Sequence, residues 1–238
     1  MAMRIIKTET YDQMSVLAAD IIGAQVLLKP ACVLGLATGS SPIGTYALLA
    51  EKYDKGILDF SKVRTVNLDE YCGLSGDHPS SYRYFMDKHL FEKVNIQREN
   101  THVPSGFTGD LDAEAERYEQ LIADMGGVDL QLLGIGHNGH IGFNEPTTHF
   151  PARVHTVQLA ESTINANSRL FARREDVPTM AITMGIGTIM KAKRLLLIAG
   201  PDKAEIIERS LYGEVTPEVP ASVLQLHRDV TVILSTGK

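Results

Sequence analysis

Short apolar runs alternate with helical patterns along this chain of 238 residues, and the alternation restricts its fold more than any other feature. Each run is too short for a helix and too apolar for a half-exposed strand, which is typical of strands buried on both faces. Strand followed by helix, repeated, predicts an α/β fold: a mostly parallel, doubly wound, Rossmann-like sheet with helices on both faces. No internal repeat or Pro/Gly/Ser-rich linker divides the chain, so we expect a single α/β domain over residues 1–238.

The predicted elements follow from these patterns. Buried strands are expected at residues 33–37, 63–68, 130–134 and 195–199, with weaker candidates at 154–159, 180–184 and 230–234. Helical spacing of apolar residues predicts helices at residues 11–28, 81–91, 113–125 and 202–211. In such sheets, ligands bind outside the carboxyl ends of the strands, so the segment after each strand is the one that indicates function.

Charge and cysteine content narrow the classes of function. The formal net charge of −6 argues against a nucleic acid or a membrane as the main partner, since both attract a cationic face. A local basic pocket for a small anion stays compatible with that charge. No run could span a bilayer, and the N-terminus lacks the apolar core of a signal peptide. Cys32 and Cys72 form neither a CxxC motif nor a disulfide framework, which predicts a cytoplasmic protein.

The first strand runs into the segment LATGSSPIGTY. Ser40 or Ser41 is expected to cap the next helix, with Pro42 at its first position. Free N–H groups at this helix start, together with the Thr38 and serine hydroxyls around Gly39, predict a phosphate cradle. The spacing fits neither a Walker A nor a GxGxxG motif. An ordinary capped turn without a ligand is the competing interpretation.

Two adjacent carboxylates, Asp69 and Glu70, end the second strand. Neighbours on a strand point to opposite faces, so they are not expected to work as a pair. We expect one to reach the cleft while the other meets solvent or caps a turn. If Asp69 faces the cleft, it is a candidate general base.

The third strand leads into GIGHNGHIGFNEP. Its glycines, Gly136 among them, let the backbone turn sharply, and Asn138 and Gly139 suit positive φ. His140 can both take and give a proton near neutral pH, and Glu145 could hold one ring nitrogen as carboxylates do for catalytic histidines. Asn138 could add a neutral hydrogen bond.

Two other interpretations of this loop stay open. A metal site could use a set of side chains that are close in sequence, although no HExxH spacing or cysteine supports it. Alternatively, His140 is a loop histidine hydrogen-bonded only to backbone. The candidate metal ligands are His137, His140, Glu145 and His149.

The second half of the chain supplies cations. Arg169 lies on a predicted helix, and Lys203 lies at the start of another helix after the strand at residues 195–199. Both could complete the phosphate site begun at Thr38, although each alone would be interpreted as a solvated surface charge. The Arg-rich segment at residues 152–174 is expected to form a mobile lid.

With these segments in order, the sequence resembles the glucosamine-6-phosphate deaminase family almost from end to end. The resemblance is carried by LATGSSPIGTY, VNLDEYCGL, GIGHNGHIGFNEP, NSRLF, GPDKA and SVLQLH. It implies the conversion of glucosamine 6-phosphate and water to fructose 6-phosphate and ammonia, with no metal and no cofactor.

The resemblance also implies roles for individual residues. Asp69 resembles the base that moves a proton between C2 and C1, His140 the group that opens the pyranose ring, and Glu145 its supporting carboxylate. Asn138 stands where several relatives have Asp, so the tuning of His140 would depend more on Glu145. The implied phosphate-binding residues are Thr38, Gly39, Ser40, Arg169 and Lys203, with Gly136 as a further substrate-binding residue.

One departure concerns regulation. Longer, hexameric relatives bind an N-acetylated sugar phosphate as an activator through basic residues shortly after the FNEP segment, and His155 and Val157 occupy those places here. We therefore expect no such activation, and a monomer or small homo-oligomer.

Two alternative functions remain. A 6-phosphogluconolactonase has the same fold and a similar loop histidine but needs no C2–H base. A non-catalytic sugar-phosphate sensor is disfavoured because no DNA-binding segment is present.

Overall fold

A parallel sheet forms the centre of the protein, for which a computed structural model describes residues 3–237. Within this range the sheet has seven strands in the order β1-β10-β9-β6-β2-β3-β5. The strands are β1 (Arg4–Thr8), β2 (Val33–Leu36), β3 (Arg64–Asn67), β5 (Thr101–His102), β6 (Leu130–Leu133), β9 (Leu195–Ala199) and β10 (Val230–Ser235), with β4 described below.

Burial confirms the predicted α/β class. Every residue of β2, β6 and β9 is buried. Because successive side chains of a strand point to opposite faces, both faces of the sheet must be covered. The predicted strands at residues 33–37, 63–68, 130–134, 195–199 and 230–234 all belong to this sheet.

A second, antiparallel sheet corrects the prediction for two segments. It contains β4 (Asp69–Tyr71), β7 (His155–Gln158) and β8 (Met180–Thr183) in the order β4-β8-β7. The segments at residues 154–159 and 180–184 were expected in the parallel sheet, and this was wrong. No residue of β7 is fully buried, which fits a small sheet better than a covered centre.

The helices agree with their predicted positions to within a few residues. Thr10 caps the first of them by accepting a hydrogen bond from the Gln13 N–H. No helix within residues 3–237 is long and apolar enough to cross a membrane. The helices are α1 (Tyr11–Leu28), α2 (Ile43–Asp54), α3 (Tyr82–His89), α4 (Leu111–Asp124), α5 (Glu161–Asn167), α6 (Ile186–Met190) and α7 (Ala204–Tyr212).

The strand order places a crevice between β2 and β6. From β2 the chain continues to β3 and β5 on one side, whereas from β6 it continues to β9 and β10 on the other. Such a reversal of strand order leaves a gap at the carboxyl ends of the two central strands, where ligands bind in sheets of this kind. The loops after these strands are therefore expected to form the functional site.

Candidate active site

The loops at the carboxyl edge of the main sheet surround a cavity of about 400 Å³. All predicted site residues line this cavity except Glu145, which lies behind His140. Asp69 and His140 are thus brought together although they are 71 positions apart in sequence. The predicted residues that line the cavity are Thr38, Gly39, Ser40, Asp69, Gly136, Asn138, His140, Arg169 and Lys203.

One wall of the cavity is the loop between β2 and α2. Gly39 has φ of 92°, a conformation that favours glycine. No acceptor for the backbone N–H groups of residues 39–41 is found among residues 3–237. These N–H groups lie at the edge of a cavity that also contains two cationic side chains. The loop can therefore bind an anion such as a phosphate.

Tyr11 holds this loop in place, a role that the sequence did not reveal. Its hydroxyl accepts a hydrogen bond from the Gly44 N–H at 2.8 Å and donates one to the Ser40 carbonyl at 3.2 Å. The prediction that Ser40 or Ser41 caps α2 was wrong, and Pro42 precedes the helix instead of starting it. For Ser41 the reason is that Tyr11 already takes the Gly44 N–H, the group that a cap at that position would have bound.

Asp69 and Glu70 differ in environment, as their alternation on β4 predicted. Asp69 is 6% exposed and lines the cavity. Burial, and then repulsion from Glu70, raise the pKa of Asp69 to about 8. Glu70 points away and accepts hydrogen bonds from the N–H groups of Tyr71, Tyr82 and Arg83 at 2.8–3.0 Å.

Glu70 therefore caps the start of α3, to which Tyr82 and Arg83 belong. Burial raises the pKa of Glu70 to about 7, although the three N–H groups oppose this by stabilising its charge. The outcome is one carboxylate held by the backbone and another, Asp69, turned toward the ligand space.

His140 projects into the cavity from the loop after β6. Its Nδ1 lies 3.5 Å from Glu145 Oε2, within ion-pair distance but without hydrogen-bond geometry. Asn138 donates a hydrogen bond to the same Oε2 at 2.7 Å and accepts one from the His140 backbone N–H at 3.2 Å. The side chain of Asn138 thus links Glu145 to the backbone of His140.

The environment of Glu145 keeps it charged. Burial alone would raise its pKa, but attraction to the His140 ring at 3.5 Å, with hydrogen bonds from Thr163 and Asn138, lowers it to about 2. Gly139 has φ of 87°, as predicted, whereas Asn138 does not adopt positive φ, and that prediction was wrong. Because Gly139 makes the left-handed turn, Asn138 is free to orient its amide between Glu145 and His140.

Gly136 makes room for the His140 ring. A Cβ built on Gly136 would overlap the imidazole itself, so any side chain there must displace the ring. We expect Gly136→Ala to lower activity about 100-fold, because a shift of about 1 Å in a reacting group can cost that much. Gly134→Ala is a matched control in the same loop, since its Cβ would meet no atom within 4 Å. Equal losses in the two folded variants would contradict this account of Gly136.

The cationic side of the cavity contains Arg169 and Lys203. Lys203 lies directly before α7, and its side chain is 15% exposed. Burial lowers the pKa of Lys203, and Arg169 lowers it further, while Asp202 opposes both. Residues 152–174 form β7, α5 and a 3-10 turn. They provide a wall of the cavity, and four of its lining residues were not predicted as site residues: Ser162, Thr163, Ala166 and Asn167.

The candidate metal ligands do not form a metal centre in this structure. Within residues 3–237, no three His, Cys, Asp or Glu side chains are grouped so that they could hold a metal ion. His137 instead contacts Asp202 and Lys203. His140 faces Glu145. The loop therefore orients titratable side chains individually.

Comparison of the amino-acid sequence with known proteins identifies a family that this chain matches. A family model described as glucosamine-6-phosphate isomerases/6-phosphogluconolactonase matches residues 7–233. The glucosamine-6-phosphate deaminase of Lachnoclostridium phytofermentans is 61% identical over 232 residues, covering 97% of this chain and 98% of that protein. The deaminase of Clostridioides difficile is 53% identical over 233 residues, covering 98% and 94%.

Comparison with solved structures indicates the same family as comparison with the sequences. A monomeric glucosamine-6-phosphate deaminase superposes with a TM-score of 0.96 at 46% identity, covering 98% of this chain and 97% of that one. A 6-phosphogluconolactonase from Leishmania guyanensis reaches a TM-score of 0.76 at 22% identity, covering 100% and 97%, which is a likeness of fold alone. The chain therefore belongs to the glucosamine-6-phosphate isomerase/6-phosphogluconolactonase family.

Proposed function

We propose that the protein is a glucosamine-6-phosphate deaminase acting in amino sugar catabolism, which converts glucosamine 6-phosphate and water to fructose 6-phosphate and ammonia. Relatives with this name are 52–61% identical in sequence to this chain over nearly its whole length. The observation that carries the proposal is the single cavity lined by the carboxylate of Asp69, the ring of His140 and two cations.

The chemistry requires two proton-transfer groups at different places on the substrate. Opening the pyranose ring needs a proton removed from O1 and one delivered to O5, which the imidazole of His140 can do. Isomerisation needs a base at the C2–H bond, and we assign this role to Asp69. The cationic amine at C2 acidifies that hydrogen, and it would also favour the charged form of the Asp69 carboxylate.

The loop at residues 38–40, with Arg169 and Lys203, would bind the phosphate at the far end of the substrate. Binding energy from this distant group can orient the reacting carbons between Asp69 and His140. Gly136 is proposed to contact the substrate, and Asn138 and Glu145 to hold His140 from behind. We also propose that the wall at residues 152–174 moves as a lid over the bound sugar.

The direct test is an assay of ammonia release from glucosamine 6-phosphate, with fructose 6-phosphate measured alongside. We expect the two products in equal amounts, and no hydrolysis of 6-phosphogluconolactone above the uncatalysed rate. Lactone hydrolysis without ammonia release would favour the lactonase alternative. Binding of the sugar phosphate without either reaction would favour a sensor.

Assembly and regulation are proposed from the same comparison. The relative that superposes with a TM-score of 0.96 is a monomeric deaminase, so a monomer or small homo-oligomer of one α/β domain is proposed here. With His155 and Val157 after the FNEP segment, the assay above is expected to give the same hyperbolic curves with and without N-acetylglucosamine 6-phosphate. Both cysteines are free, which fits the proposed cytoplasmic location.

A further inference from the structure

His137 is a titratable group in the cavity that the proposed reaction does not use. It stands directly after Gly136, the glycine that makes room for His140, and its side chain is 66% exposed. Its ring nitrogens lie 2.6 Å (Nδ1) and 2.8 Å (Nε2) from Lys203 Nζ. Its Nε2 also lies 3.1 Å from Asp202 Oδ2. His137 thus sits between a cation and an anion at the proposed phosphate end of the cavity.

These contacts favour one arrangement of donors and acceptors around the ring when no anion is bound. An ammonium group has only donors, so a hydrogen bond from Lys203 requires a ring nitrogen that carries no proton. With Nδ1 accepting from Lys203, the Nε2–H can donate to Asp202 Oδ2 at 3.1 Å, and the 2.8 Å between Nε2 and Lys203 Nζ is then a close contact between two donors. A protonated ring would have no acceptor for its second N–H and would be repelled by Lys203.

A bound phosphate monoester would instead favour the protonated form of the His137 ring. The charged groups facing His137 are Asp202 and Lys203, with Arg169 beside Lys203. Arg169, Lys203 and Asp202 together supply one net positive charge, whereas the ligand carries close to two negative charges. A proton on His137 would supply the second positive charge, with one N–H toward Asp202 and the other toward the phosphate.

We propose that His137 is a further phosphate-binding residue, which takes up a proton when the doubly charged anion binds. The inference rests on the proposed function only for the identity of the anion. An imidazole changes charge within the physiological pH range, so binding should weaken as the pH rises. The decline approaches tenfold for each pH unit once the ring of the unliganded protein is neutral, because one proton is then bound with each anion.

Inorganic sulfate tests this proposal, because its charge stays constant between about pH 6 and about pH 8.5, unlike that of a phosphate monoester. We expect the affinity for sulfate, measured by calorimetry, to fall with pH, and buffers of different ionisation enthalpy to reveal proton uptake approaching one per sulfate. His137→Gln should bind sulfate about three- to tenfold more weakly near pH 6.5 and should lose both the pH dependence and the proton uptake. His149→Gln is the matched control, an exposed histidine that does not line the cavity.

The same proton uptake in His137→Gln as in the parent protein would overturn the proposal, as would sulfate binding that is independent of pH in the parent. A merely structural role for His137 would weaken binding at every pH without changing the slope. Because sulfate binding involves no turnover, failure of the deaminase assay and failure of this inference are separate results.

Discussion

Asp69→Asn is expected to release ammonia from glucosamine 6-phosphate about 10²- to 10⁴-fold more slowly than the parent protein, the range typical for loss of a general base. The amide keeps the size of the carboxyl group but cannot accept the C2 proton. Exchange of that proton with solvent should fall in parallel, which nuclear magnetic resonance in D₂O would measure. Affinity for the sugar phosphate should stay largely intact, because the anion site is formed by other loops.

Exchange at C2 that persists in the folded Asp69→Asn variant would remove Asp69 from this role. Asp77→Asn serves as the matched control, since Asp77 is an exposed acid in the loop that follows β4. It should keep near-parental rates of both ammonia release and exchange.

The same substitution has a second consequence, for stability. The pKa of Asp69 is raised from 3.8 to about 8, so the native state binds a proton more tightly than the unfolded chain does. In that interval the free energy of unfolding must fall as the pH rises, because ionising the buried carboxyl group is less favourable than ionising it in water. Asp69→Asn should therefore be more stable than the parent near pH 8, by on the order of 1–3 kcal/mol, and nearly equal to it near pH 4.

Denaturant unfolding at several pH values would measure this difference. A stability gain that does not grow with pH would show that the carboxylate is not penalised by burial. Together, a slower reaction and a more stable fold would indicate that the protein keeps a destabilising buried acid for its chemistry.

The site was largely predictable because its residues follow strands whose patterns are clear. β2, β6 and β9 are buried throughout, and in a parallel sheet the residues after them must meet at one edge. The small antiparallel sheet was harder to predict. Only Leu68 separates β3 from β4, so the pattern showed one strand where the chain changes sheets.

Contacts distant in sequence were also beyond prediction. Tyr11 is 33 positions from Gly44, and nothing near either residue reveals that the tyrosine hydroxyl takes the place of a serine cap. β1 was not predicted because Arg4 and Lys7 interrupt its apolar pattern, and β5 was not predicted because it has only two residues.

Asn144 belongs to the motif GIGHNGHIGFNEP, but the sequence analysis assigned it no role. The structure shows its amide donating to the carbonyls of Ile141 and Met184, which fixes the loop of His140 against β8.

His140→Gln is expected to reduce turnover of glucosamine 6-phosphate about 10²- to 10³-fold, because glutamine cannot exchange a proton between O1 and O5 of the ring. The loss should be much smaller for an open-chain analogue that lacks the hydroxyl groups at C4 and C5, because it can close neither a five- nor a six-membered ring and so bypasses the opening step. Stopped-flow measurement of ring opening, beside steady-state rates for both compounds, would separate this step from C2–H abstraction. Equal losses for the two compounds would assign His140 to another step.

Glu145→Gln is expected to cause a smaller loss of turnover than His140→Gln, at the same step of the reaction. Glu145 does not line the cavity, but its Oε2 accepts the Asn138 amide at 2.7 Å and lies 3.5 Å from His140 Nδ1. Catalytic contacts are often long in unliganded sites and tighten with substrate, so Glu145 should act by stabilising the protonated imidazole. We expect Glu145→Gln to reduce turnover less than His140→Gln does, with the same preference for the open-chain analogue. Because Asn138 cannot carry a charge, Glu145 is the carboxylate that faces the His140 ring, and removing its charge should reproduce part of the histidine defect at the same step.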